Sequence, residues 1–246
     1  MLLIDCGNSA IKCRLIQSDK VVDQVFPVHQ YRDLTDFTNY LKTISIDKIY
    51  LASVSDEEIT QKIKQTVLQN LHSVAISITS LAELGGLKNG YDDYKQLGVD
   101  RWLTLLAADE LSAGDCFIID AGTAIKIEIL SKKRGYLGGA ILPGFRTARQ
   151  RFMRLFPHID FDDPALQRIA EPGKSTLECL YIPDLPVSIE SVMDIVKSWQ
   201  LLLQQPYQLF LTGQDANQIS QQIKVDHVVI PDLLFKGMLK QIHLQG

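Results

Sequence analysis

Leu2-Leu3-Ile4-Asp5-Cys6-Gly7-Asn8-Ser9 opens the chain, and Phe117-Ile118-Ile119-Asp120-Ala121-Gly122-Thr123 stands near its middle. Each is an apolar run that ends in Asp-Xaa-Gly followed by a small polar residue. A short apolar run halted by a glycine turn reads as a buried strand. The surroundings repeat too. Residues 11–16 and 21–28 read as two strands and 31–43 as a helix; after the second copy, 124–131 and 135–142 read as strands and 146–156 as a helix. One Asp-Gly or Gly-Asn turn is an ordinary hairpin signal. Two at matching positions of a repeat indicate a duplicated unit of roughly 110 residues. The spacing predicts domains 1–113 and 114–246, with no flexible linker and a shared cleft.

The remaining segments fit an α/β fold. Residues 48–53 and 73–78 read as strands around a helix at 57–71. Residues 188–203, 216–223 and 233–242 read as helices, with strands at 208–212 and 227–230. The chain has 246 residues, 46% apolar and 22% charged, enough for a substantial core. A formal charge of -4 without a basic stripe argues against nucleic-acid partners. No apolar run reaches membrane-spanning length, and an Asp at position 5 is unlike a signal peptide. Cys6, Cys13, Cys116 and Cys179 form no CxxC pair, so buried thiols in the cytoplasm are expected.

A phosphate-binding turn needs outward backbone N–H groups, small hydrogen-bonding side chains, and a carboxylate that holds a cation near the phosphates. Asp5-Gly7-Asn8-Ser9 and Asp120-Gly122-Thr123 each supply these, and Lys12 adds positive charge to the first. Neither is a P-loop: Gly173-Lys174-Ser175 lacks the required earlier glycine, because position 168 is Arg168. Asp100 precedes Arg101 and Trp102 at the start of a helical run. It suits a general base, although Asp is also favoured near helix N-termini. Arg101 suits a bidentate grip on a carboxylate or phosphate. The five histidines are scattered and read as structural.

Asp5-Cys6-Gly7-Asn8-Ser9 with Lys12, Leu97-Gly98-Val99-Asp100-Arg101-Trp102, and Asp120-Ala121-Gly122-Thr123-Ala124 together resemble the type III pantothenate kinases of the actin-like sugar-kinase superfamily. Gly138-Gly139-Ala140-Ile141-Leu142-Pro143-Gly144 and Thr212-Gly213 resemble further signatures of that family. The resemblance implies duplicated actin-like (ribonuclease H-like) domains, each a mixed sheet with flanking helices. It implies phosphorylation of pantothenate by ATP, the first step of coenzyme A synthesis, in a homodimer. A divalent cation such as Mg²⁺ and a monovalent cation, K⁺ or NH₄⁺, come with it. By that resemblance Asp100 is the base, and Tyr91, Gly98, Val99, Asp100, Arg101 and Thr176 bind substrate. Asp5, Cys6, Gly7, Asn8, Ser9, Ala10, Ile11, Lys12 and Thr123 bind ATP. Asp120 holds the monovalent ion and Asp5 the Mg²⁺, directly or through water. Thr176 would reach the partner's active site.

The sequence departs from the family pattern in places. Ser9 replaces the commoner Thr, and Tyr94 stands where Pro is frequent. Lys126 and Glu128 replace the usual Thr and Asp; sharing one strand face, they can pair with each other. The alternatives are a nucleotide-binding regulatory protein on the same fold, or a kinase of another small hydroxylated acid.

Overall fold

The structure is a computed structural model of the chain and describes residues 1–18, 20–27, 33–155, 157–158, 186–203 and 206–246. It divides into two compact units. The first holds Met1–Ala113, Leu130–Gly138 and Asp232–Gly246, and the second holds Gly114–Ile129 and Gly139–Pro231. The first cut coincides with the expected boundary, but the units are not two continuous halves.

The first unit is built on a five-stranded sheet of order β3-β2-β1-β4-β5. The strands are β1 (Leu2–Cys6), β2 (Ala10–Gln17), β3 (Lys20–Pro27), β4 (Ile49–Ser53) and β5 (Ile76–Ile78). β1 pairs antiparallel with β2 and parallel with β4, and every one of its residues is buried. On β2 the side chains alternate, so Ile11, Cys13 and Leu15 enter the core while Lys12 stays exposed. α1 (Thr35–Leu41) contributes Phe37 and Leu41 to that core. α2 (Glu57–Leu71) contributes Ile59, Ile63 and Val67, spaced four apart on one helical stripe. Asp56 caps α2 by accepting from the Ile59 N–H at 3.0 Å.

α3 (Val99–Leu111) is buried from Val99 to Ala108, as a helix apolar on most faces must be. α7 (Leu233–Gln245) covers it. Gly237 permits the close approach, since a Cβ there would lie 1.9 Å from the Leu103 carbonyl oxygen. Trp102 Nε1 donates to Gln241 Oε1 at 3.0 Å, and Gln241 Nε2 donates to the Thr79 carbonyl at 3.0 Å. One small hairpin, β6 (Glu83–Leu84) with β7 (Leu87–Lys88), leaves no signature in the sequence, because two-residue strands carry no periodicity.

A second five-stranded sheet repeats the plan, with order β10-β9-β8-β11-β12. Its strands are β8 (Cys116–Ala121), β9 (Ala124–Ser131), β10 (Gly135–Pro143), β11 (Gln208–Thr212) and β12 (Val228–Val229). β8 pairs parallel with β11, which pairs parallel with β12. The helices are α4 (Phe145–Met153), α5 (Pro186–Trp199) and α6 (Ala216–Ser220). The two sheets therefore share one strand order, first-numbered strand central, as expected of a duplication. Cys6, Cys13 and Cys116 are buried thiols; Cys179 lies outside the described residues.

Arg14 ties α7 to the first sheet. It donates twice to Asp23 (2.8 and 2.7 Å) and once to Asp232 Oδ2 (2.8 Å), with its guanidinium over the Phe235 ring at 4.8 Å. Burial pushes the Asp232 carboxyl up, but hydrogen bonds and charge from Arg14 and Lys236 outweigh it and hold it below the usual carboxylate range. A carboxyl lowered by folding stabilises the native state above its unfolded pKa, and that contribution disappears as pH falls through the native value. Asp232→Asn should thus cost about 1 kcal/mol at pH 7. The gap from wild type should close as pH drops below about 4. Urea unfolding at pH 7 and pH 3 checks this, and a gap that persists at pH 3 would refute it.

Candidate active site

Asp5 lies near the end of β1, its carboxylate almost fully buried. Lys12, its register partner on β2, places Nζ 3.8 Å from Asp5 Oδ2. The turn between them closes with the Gly7 N–H donating to the Ala10 carbonyl at 3.0 Å, which leaves Asn8 and Ser9 exposed at its tip. Ser55 Oγ donates to the Gly7 carbonyl at 2.8 Å, and the Val54 N–H to the Cys6 carbonyl at 3.0 Å. Of the residues expected to touch ATP, Cys6 and Ile11 are fully buried, so only their backbone can reach a ligand. Burial pushes the Cys6 thiol up, hydrogen bonds from Ser55 and Ser53 oppose it, and the Asp5 charge adds to it. Cys6 is a neutral packing group, not a nucleophile.

Asp100 and Arg101 occupy the first turn of α3, both buried. Asp100 Oδ1 accepts the Arg101 N–H at 2.8 Å, which fixes the carboxylate over the helix N-terminus. Gly98, just before α3, packs beside Val54: a Cβ on it would lie 3.6 Å from Val54 Cγ1. A cavity of about 540 Å³ lies on the Gly98 side, lined by Ser53, Val54, Ser80, Leu97, Gly98 and Val99 among others; Asp100, Arg101 and the Asp5 turn are not part of its lining. Arg101 is clasped by phenols. Its Nη1 donates to Tyr91 Oη and its Nη2 to Tyr136 Oη, both at 2.6 Å. The two rings stack at 6.0 Å, and the guanidinium also lies 5.5 Å from the Tyr91 ring centre. Asn89 sets Tyr91 by accepting its N–H at 3.1 Å. The structure thus places Tyr91 with Arg101, and Gly98, Val99 and Arg101 with Asp100 at the start of α3. Thr176 lies outside the described residues.

In the second unit Asp120 lies near the end of β8, and the turn after it is tighter, with the Gly122 N–H donating to the Ala124 carbonyl at 3.0 Å. Two signatures noted in the sequence hold this turn in place. The Gly144 N–H and Thr147 Oγ1 both donate to the Thr123 carbonyl, at 3.1 and 2.7 Å. Gly144 must be glycine because a Cβ would lie 2.0 Å from the Gly122 carbonyl oxygen. Gly213, at φ +89°, would bring a Cβ 2.3 Å from the Ala121 carbonyl oxygen. Thr123 keeps its side chain exposed. Lys126 Nζ donates to Asp120 Oδ2 at 2.9 Å.

Sequence reasoning missed Tyr136 and Asp215. A Gly-Tyr pair at a strand start is too common to single out Tyr136. Asp215 Oδ2 is buried with no hydrogen-bond partner, while its Oδ1 lies 3.9 Å from Arg146 Nη2. Burial pushes this carboxyl up, and Arg146 partly opposes it. A ligand hydroxyl or amino hydrogen would satisfy that oxygen.

The residues at Asp5 fit a divalent cation. Mg²⁺ keeps several waters and is held by one or two carboxylates plus phosphates. Asp5 is one such hard oxygen ligand, and among the described residues no cluster of three or more His, Cys, Asp or Glu forms a closed cage. The residues at Asp120 do not fit a free monovalent ion as expected, since the ammonium of Lys126 already stands on the carboxylate.

Two sheets of one strand order, each with a central strand running into a carboxylate and a glycine turn, define a protein of the duplicated actin-like fold. A sequence profile for type III pantothenate kinase matches residues 1–195. Type III pantothenate kinases of Pseudomonas putida and Pseudomonas fluorescens are 32% and 30% identical to this chain, over 97% of its length and of theirs. The chain belongs to the type III pantothenate kinase family, whose activity is ATP-dependent phosphorylation of pantothenate in coenzyme A biosynthesis. Among solved structures, a Campylobacter jejuni protein assigned to the Baf family of transcriptional activators superposes with TM-score 0.59 at 21% identity, over 99% of this chain and 98% of that one. The ethanolamine utilization protein EutJ of Carboxydothermus hydrogenoformans gives 0.54 at 13%, over 100% and 89%. Both likenesses speak to the fold alone.

Gly213→Ala should cost about 3 kcal/mol, combining left-handed strain with the collision against Ala121. Gly86→Ala, at φ +87° with nothing within 4 Å of the added Cβ, should cost only the backbone strain, about 1 kcal/mol. Thermal unfolding of the two variants compares them; equal losses would show that the contact with the Asp120 turn is not what demands glycine.

Proposed function

We propose that this chain transfers the γ-phosphoryl group of ATP to the terminal hydroxyl of pantothenate, with Asp100 as general base. One observation carries the assignment. The Ser53–Ser55 segment hydrogen-bonds the Asp5 turn, through Val54 N–H and Ser55 Oγ, and Ser53 and Val54 line one cavity with Gly98 and Val99 at the start of α3. A carboxylate suited to accept a proton and a turn suited to hold phosphate are thus set by one short stretch of chain, with a cavity lined by Ser53, Val54, Gly98 and Val99.

The reaction forms one O–P bond to the pantothenate hydroxyl and breaks the bond from the γ-phosphorus to the ADP oxygen; the hydroxyl proton passes to Asp100. The tie to the Arg101 N–H orients the Asp100 carboxylate in advance. Arg101, its planar guanidinium positioned by Tyr91 and Tyr136, is the group suited to the pantothenate carboxylate. Asn8, Ser9 and Lys12 are suited to offer donors and positive charge to the ATP phosphates, and Thr123 to offer a second contact, while the Gly7 and Gly122 N–H groups close the turns that present them. A divalent cation held by Asp5 would screen the phosphate charge. Most of the rate comes from positioning and fixed dipoles, as expected for phosphoryl transfer. The same reading carries a homodimer, which family membership and the expected role of Thr176 support. It also carries a cytoplasmic setting, supported by buried thiols and, among the described residues, by no helix long and apolar enough to cross a membrane.

Coupled ADP release with pantothenate, ATP and Mg²⁺ tests the assignment. Asp100→Asn should lower kcat by about 10²–10⁴ while ATP still binds. Full turnover in that variant would remove Asp100 from the role of base. No ADP release by the wild type above background would remove pantothenate as substrate, and a panel of other hydroxy acids would then name it.

A further inference from the structure

We propose that Lys126 is a built-in monovalent cation: its ammonium neutralises Asp120 and supplies the positive charge beside the Gly122-Thr123 turn, so the enzyme needs no added K⁺ or NH₄⁺. The inference rests on the reading that this turn serves ATP.

Geometry comes first. Asp120 lies near the end of β8 and Lys126 on β9, the turn between them closed by the Gly122 N–H on the Ala124 carbonyl. Nζ lies 2.9 Å from Asp120 Oδ2, the distance of a charge-assisted N–H···O bond. Side-chain exposure is 20% for Lys126 and 18% for Asp120, so this is a sheltered pair and not a loose surface bridge. The other carboxylate oxygen faces Gly213, where any side chain would intrude: a Cβ there would lie 2.7 Å from Asp120 Oδ1. The carboxylate is thus held by the ammonium at Oδ2, with Gly213 keeping side-chain bulk away from Oδ1.

The chemistry follows from that placement. A lysine head group and an ammonium ion carry the same unit charge and the same kind of N–H donors. A mobile cation arriving at the same carboxylate would meet a like charge already there, and in a sheltered site that repulsion is weakly screened. Tethering makes the resident group the winner, because it is always at high local concentration and its placement is fixed by the strand. Strand alternation puts Lys126 and Glu128 on one face, and Glu128 is buried. The structure gives Lys126 the partner Asp120, which the sequence reading had not named.

The test compares wild type, Lys126→Thr and Lys126→Gln in choline chloride, KCl and NH₄Cl at equal ionic strength. Two quantities are read: ATP affinity by calorimetry and turnover with pantothenate. Wild type should show the same ATP affinity and rate, within about twofold, in all three salts. The variants should bind ATP about tenfold more weakly in choline and recover in KCl or NH₄Cl, where a mobile ion can take the vacated position. Stimulation of the wild type by about tenfold or more in KCl or NH₄Cl overturns the proposal. So do variants that match wild type in choline, or that stay weak in every salt. If a variant fails to fold, the wild-type salt comparison still decides. Absence of pantothenate turnover would sink the proposed activity, while the calorimetric arm would still judge Lys126 separately.

Discussion

β1 is hydrogen-bonded to β2 on one side and to β4 on the other, and all of its residues are buried. A strand in that position has no open edge, and burial on both faces makes it read as continuously apolar. Only its end can meet a ligand. β8, flanked by β9 and β11, is under the same constraint. Both strands run into Asp-Xaa-Gly, so a carboxylate and outward N–H groups appear where the ladder stops. The backbone of each turn is then pinned from behind, by Val54 and Ser55 in the first unit and by Gly144, Thr147 and Gly213 in the second. Donors held this way need little reorganisation when charge arrives.

Around Asp100 the same logic appears in a helix. α3 is buried over most of its length, which fixes its first turn far more tightly than helix propensity would. Burying Arg101 is costly unless its donors are met, and two tyrosine hydroxyls meet part of that demand. A phenol is a neutral acceptor, so these two bonds set the position of the guanidinium by geometry.

Much of this was legible in the sequence. Both central strands, the helix at Glu57–Leu71 and the strand at Ala124–Ser131 follow from apolar periodicity and glycine turns. The two Asp-Xaa-Gly turns and Asp100 were found because their chemistry is local to a few residues. What was missed is non-local. Tyr136 meets Arg101 across 35 positions of sequence. Gly237 against Leu103 and Gln241 against Trp102 assign the closing helix to the first unit, which no local pattern encodes. Lys126 was marked as unusual, but its meeting with Asp120 depends on the tight turn after β8.

The placement of α7 also orders events during synthesis. α3 carries Asp100, and its covering helix comes more than a hundred residues later in the chain. While the ribosome is still making the second unit, the face of α3 around Trp102 and Leu103 lacks its partner. Arg14 likewise waits for Asp232. The first unit can begin to fold early, yet it can be completed only after the second has been translated. A nascent chain stalled partway would present an apolar helix to chaperones and no finished catalytic centre.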